Sequence, residues 1–155
     1  MDASAEEHEF LDPEEYETWN ALLSLSQATL HALDVELQSS AGLSVTEFDV
    51  LITLFNAEDR RLGMTSLAQS AMLSPSGLTH LVTRLERHGL VDRVVDEADG
   101  RKFFAVLTDT GDARLRQARP IHNRVLRSLL LTYMSAADRR CLARIWARVA
   151  QTSEG

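Results

Sequence analysis

The chain has 155 residues and a single cysteine; that length supports one domain with a real core, and one cysteine excludes an internal disulfide framework and suits a reducing cytoplasm. No apolar run reaches the ~18 residues of a membrane span, and the acidic N-terminus lacks the basic and apolar regions of a signal peptide. The net charge of −7 does not exclude nucleic acid, because residues 1–59 hold 14 acids and no Lys or Arg (−14) while residues 60–155 hold 16 bases against 9 acids (+7), and a local basic field can favour phosphates.

Residues 1–11 read as a frayed end. Asp12 then has the chemistry of an N-cap, with Pro13 at the first helical position and Glu14 and Glu15 favouring the helix dipole. Tyr16, Trp19, Leu23, Ser26, Leu30, Leu33 and Leu37 step by three and four, a heptad seam suited to packing along another helix, and the pattern ends before Gly42. Ser44 and Glu47 form a capping box that opens a second helix, with Phe48, Leu51, Ile52 and Phe55 inward. Residues 56–63 read as a loop, with Met64 beginning a short strand.

A short helix is predicted over residues 65–72, capped by Thr65, with Leu67, Ala68 and Ala71 inward. After a brief link, Ser74 is a second N-cap and Pro75 suits the first helical turn. Leu78, Leu81, Val82 and Leu85 make one buried stripe, and Gly89 ends the helix. Opposite the stripe lie Ser76, Thr79, His80, Thr83, Arg84 and Arg87, all hydrogen-bonding or cationic and none acidic. Such a face is also compatible with an ordinary solvated surface. Its setting favours DNA: a helix-turn-helix places its second helix in the major groove. Residues 91–95 and 103–107 are β-branched and aromatic runs around a polar tip with Asp99-Gly100 as turn signal. Helix, turn, helix and hairpin in that order make a winged helix.

Thr108 caps a long helix with Asp109 and Asp112 near its positive end, and Pro120, inside the pattern, should kink it. Ile121, Val125 and the run Leu129, Leu130, Leu131 are apolar on more than one side, and Leu142, Ile145, Trp146 and Val149 form the stripe of a final helix after a cap at Ser135. Apolar surface in such excess points to a partner helix.

The stretch Leu-Ser-Pro-Ser-Gly-Leu-Thr, followed by Leu-Val, Arg-Leu-Glu and Gly-Leu-Val, resembles the MarR family of bacterial transcriptional regulators. So does the wing, where Asp99, Arg101, Leu107, Thr108 and Gly111 fill the family pattern Asp-x-Arg, five residues, Leu-Thr-x-x-Gly. The likeness is close over residues 43–111 and looser in the flanks. Many relatives carry Arg where this chain has His80, which makes contact there sensitive to pH. The resemblance implies a mainly α fold with a small β-wing. Residues 12–41 and 108–150 become dimerisation helices, and residues 44–107 the winged helix-turn-helix lobe, within one domain. It implies a cytoplasmic homodimer on a pseudo-palindrome of double-stranded DNA, more often repressor than activator and released by a small ligand. Ser74, Ser76, Thr79, His80, Thr83, Arg84 and Arg87 then meet DNA from the helix, and Asp99, Arg101 and Lys102 from the wing, with Arg101 in the minor groove.

Trp19 reads as seam packing or as the wall of an effector pocket, and Asp49 as a solvated charge or a residue of the same crevice. Cys141, near Arg139, Arg140 and Arg144, reads as a small buried filler, with redox sensing the alternative. The five histidines form no metal-binding cluster, no cofactor motif occurs, and no catalytic signature is present. The competing class is a winged helix that binds another protein; Arg84, Arg101 and Lys102 favour nucleic acid.

Overall fold

The computed structural model describes residues 11–97 and 99–152; the expected fraying of residues 1–10 lies outside them. Helix α1, Pro13–Ala41, starts as its residues dictate. The Asp12 carboxylate accepts from the backbone N–H of Glu14 and Glu15, each at 2.8 Å, and Glu15 returns the bond to Asp12 N–H. It stops at Gly42, whose φ of 64° suits a residue without Cβ. The second capping box, Ser44 with Glu47, opens α2, Val45–Asn56, and Asp34 of α1 accepts from Val45 N–H at 3.0 Å. The junction between α1 and α2 is therefore tied from both sides.

A 3-10 turn, Glu58–Arg60, leads into β1, Arg61–Gly63, inside the stretch expected as loop. β1 pairs antiparallel with β3, Phe103–Leu107, through Arg61↔Val106 and Gly63↔Phe104. A strand made by distant pairing leaves no local periodicity to read. Met64, expected to begin that strand, instead opens α3, Met64–Ser70, whose N-cap is Gly63 with no side-chain bond; Thr65 is not the cap. α4 spans Pro75–Arg87, β2 spans Val91–Val95, and the sheet order is β1-β3-β2. α5, Asp109–Leu129, continues through Pro120, and a 3-10 turn at Leu131–Tyr133 precedes α6, Ala136–Thr152.

One cluster joins these elements: Leu33 and Leu37 of α1, Phe48, Leu51 and Leu54 of α2, Leu67 of α3, Leu78, Val82 and Leu85 of α4, and Leu107 and Leu115 behind the wing. The rest of the α1 seam stays outside it, with Leu23, Leu30, Trp19 and Tyr16 exposed at 38, 48, 50 and 59%. α6 contributes no buried residue at all. Its stripe Leu142, Ile145, Trp146 and Val149 is open, and so is Cys141, which the sequence reading made a buried filler. The reason is common to both: none of the other described elements buries that helix face.

The β1 edge is held by charge. Asp59 and Arg60 both turn through positive φ, and the Arg60 guanidinium reaches Asp112 at 3.1 Å while lying over the Phe55 ring. Asp112 also accepts from Arg116, and that bond chiefly holds its carboxyl below the usual value of 3.8, with Arg60 adding to it. A depressed folded value stabilises above the ordinary one and is lost as pH falls through the folded one. Asp112→Asn should therefore lower the melting temperature at neutral pH, and the gap to wild type should close as the pH falls below the ordinary carboxyl value. A gap that persists unchanged in acid would make the residue's role one of shape.

Candidate nucleic-acid interface

The rotation of α4 is set by its buried stripe, Leu78, Leu81, Val82 and Leu85. Ser76, Thr79, His80, Arg84 and Arg87 are left exposed and Thr83 half-buried. Ser74 spends its hydroxyl on the cap, accepting from Gly77 N–H at 3.1 Å. Thr79 and Thr83 donate theirs back to the carbonyls of Pro75 and Thr79, both at 2.8 Å. Thr79 thus spends its hydroxyl proton within the helix and keeps its oxygen as an acceptor. Between α3 and α4, Met72 adopts a φ of 52° and is 83% exposed at the tip of the turn.

The wing tip is closed by Lys102 N–H to Asp99 carbonyl at 2.8 Å and Asp96 N–H to Lys102 carbonyl at 2.9 Å. The Asp99 carboxylate accepts from Arg101 N–H at 3.2 Å and from its Nε at 3.4 Å, and Lys102 Nζ stands 3.6 Å away. The Arg101 side chain meets Asp99 through Nε and is 93% exposed.

Helix face and wing tip line one concavity of about 680 Å³, with Ser66, Thr79, Arg93, Arg101, Lys102 and Phe104 in its wall. The sequence reading passed over Arg93. From β2 it donates Nη2 to Thr83 Oγ1 at 3.2 Å, lies 6.0 Å over the Phe103 ring, and keeps Nε buried without a partner. It was legible as the lone cation on the inward face of the strand, two residues from buried Val91. Arg84 leaves α4 on the opposite flank, where its Nε donates to Glu47 Oε1 at 2.7 Å. The charge is also less lopsided than the split at residue 60 implied. Residues 60–107 carry seven Lys and Arg against five Asp and Glu, so most of the basic excess belongs to α5 and α6.

Trp19 and Asp49 are not brought together. Trp19 lies in a surface groove of about 470 Å³ walled by Leu11, Asp12, Glu15, Thr18 and Leu22, all from the start of α1 and the residues before it. Asp49 is on α2, where packing pushes its carboxyl above the ordinary value and nearby His122 opposes that shift. His122 itself stacks on Phe48, ring centroids 4.4 Å apart. Among the described residues no cluster of His, Cys, Asp and Glu could hold a metal ion, and no helix is long and apolar enough to cross a membrane.

The same fold recurs in solved proteins. Sco3205, a MarR family transcriptional regulator from Streptomyces coelicolor solved in complex with DNA, matches with a TM-score of 0.88 and 33% identity, over 92% of this chain and 89% of that one. The chain belongs to the MarR family. A second MarR regulator of Streptomyces coelicolor, AbsC, matches equally well in shape, TM-score 0.88, at 31% identity over 94% of this chain and 98% of that one. The transcriptional regulator SarA/Rot family model covers residues 33–117. The transcriptional repressor YetL of Bacillus subtilis (strain 168) is 32% identical over 83% of this chain and 77% of its own length. MarR relatives are transcriptional regulators and not enzymes, and the mainly helical fold with a small antiparallel sheet is theirs as well.

Proposed function

We propose that this MarR protein is a homodimeric, sequence-specific repressor whose two recognition helices enter successive major grooves of a pseudo-palindromic operator. The observation that carries this is the single concavity joining the exposed face of α4 to the wing tip, with Arg93, Arg101 and Lys102 in its wall. A duplex whose major groove receives Ser76, Thr79, His80 and Arg87 runs its adjacent backbone through that concavity. Residues 44–107 form the DNA-binding lobe, and residues 12–41 and 108–150 the dimerisation helices. The open stripes of α1 and α6 support that division, since a second copy covers both. A small effector acts at the face of α2 that carries the exposed Asp49, where a carboxyl of raised affinity for protons lies near His122, itself stacked on Phe48. Trp19 lines that site only if the partner copy carries its end of α1 there.

Footprinting on the DNA flanking the protein's own gene tests the reading. Arg101→Ala should weaken binding by about 1–3 kcal/mol, as expected of a guanidinium in a minor groove. Lys102→Ala should cost less and mainly flatten the salt dependence, the mark of a phosphate contact. Affinity unchanged in the Arg101 variant at every salt concentration removes the wing from the mechanism. A protected region that is asymmetric and no longer than one half-site contradicts the dimer.

A further inference from the structure

A helix in the major groove has a sugar-phosphate strand on each flank. On one flank of α4 stands the wing. On the other lies a shallower groove of about 390 Å³, walled by Ser44, Thr46, Gly77, His80 and Arg84. Arg84 is its one cation, and behind it is Glu47, 5% exposed, with both carboxylate oxygens occupied. Oε2 accepts from Ser44 N–H at 2.7 Å, completing the cap of α2, and Oε1 accepts from Arg84 Nε at 2.7 Å. Nε is the inner donor of the guanidinium. With it engaged, both outer nitrogens remain for a ligand, and the side chain is 52% exposed.

We propose that Glu47 is a positioning residue for DNA: it holds Arg84 by Nε so that the outer guanidinium edge meets a backbone phosphate on the α2 flank, opposite the wing. The inference rests on the DNA-binding reading above and adds a second strand contact to it. A free arginine samples many rotamers and loses that freedom on binding; one clamped at Nε has already lost it. The clamp also joins the recognition helix to the α1–α2 junction, because Ser44 and Val45 are bonded to Glu47 and Asp34.

The sign of one substitution separates this role from a structural one. Removing a buried acid near DNA should by simple electrostatics tighten binding. If Glu47 positions Arg84, Glu47→Gln should weaken it instead. Glutamine still completes the Ser44 capping box, so α2 keeps its start. Binding to a mixed-sequence DNA duplex, followed by fluorescence anisotropy over a salt series, reads phosphate contacts directly. The expected result is a loss of about tenfold in Glu47→Gln, with a log–log salt slope shallower by about one per protomer. Arg84→Lys keeps the charge but not the fork, and should lose affinity likewise. The double variant Glu47→Gln, Arg84→Ala should bind no more weakly than Arg84→Ala alone, since the two residues act as one.

Equal or tighter binding by Glu47→Gln with an unchanged slope overturns the proposal, and so does additivity in the double variant. If Glu47→Gln does not melt as a folded protein, Arg84→Lys decides: wild-type affinity and slope there overturn it. A wild-type protein that binds no duplex even at low salt overturns the DNA-binding reading as well, an outcome distinct from the failure of the clamp alone.

Discussion

Ending the chain at Ser135 should abolish the folded protein rather than yield a smaller one. The removed helix α6 contributes no buried residue within its own chain, so on a monomer its loss would be almost neutral. Its stripe says otherwise. Leu142, Ile145, Trp146 and Val149 are 45, 50, 61 and 51% exposed. Burying the open half of each against a partner contributes about 1 kcal/mol or more, roughly 4–6 kcal/mol per protomer for the four. In the proposed dimer the open part of α1, with Tyr16, Trp19 and Leu23, would gain a similar amount as a covered face. That total is comparable with the ~5–15 kcal/mol that holds a whole domain together. The shortened chain should therefore aggregate or lose its cooperative transition, and full-length protein should melt at a temperature that rises with its concentration. Sedimentation of the shortened chain as a stable, folded monomer would sink the dimer.

Gly111→Ala should be the most damaging single methyl group that can be added near the wing. Gly111 lies in the first turn of α5, pressed on the backbone at Leu90. An added Cβ would stand 2.1 Å from the Leu90 carbonyl oxygen and 2.8 Å from Leu107 Cδ1. The first of these is backbone and cannot swing aside. To admit the methyl, α5 must lift from the wing base, breaking Thr108 N–H to Leu90 carbonyl at 3.2 Å and Thr108 Oγ1 to Gly89 carbonyl at 2.7 Å. Alanine gains about 1 kcal/mol in helix propensity, but overpacking against backbone costs about 3 kcal/mol or more, so destabilisation wins. Urea denaturation measures the difference. A Gly111→Ala protein as stable as wild type would mean that α5 is not seated where the geometry puts it.

What was readable in the residues is what is local. The caps at Asp12, Ser44, Ser74 and Thr108 each fall where a hydroxyl or carboxylate precedes an apolar period, and the structure bonds all four to the backbone of the following turn. The buried stripe of α4 was legible for the same reason. β1 was not, because its register depends on β3, more than forty positions away. Glu47 was recognised as a cap but not as the partner of Arg84, thirty-seven positions on, which only packing of α4 against α2 could reveal. Residue type alone marks Thr79 and Thr83 as hydrogen-bonding, and only the helical geometry shows that their protons go back to the preceding turn.

α5 is a lever. Its first turn is fastened to the wing base through Thr108 and Gly111, and His122 near its middle rests on the Phe48 ring. The arm between those points, residues 109–122, is about 20 Å long at the helical rise per residue. Pivoting on the aromatic contact by about ten degrees swings the wing end through about 3.5 Å, one base-pair step. If the protein reads DNA as proposed, a tilt of that size would carry the wing one base-pair step along its sequence, and it would have to move Leu115 and Ala118, both buried along the arm.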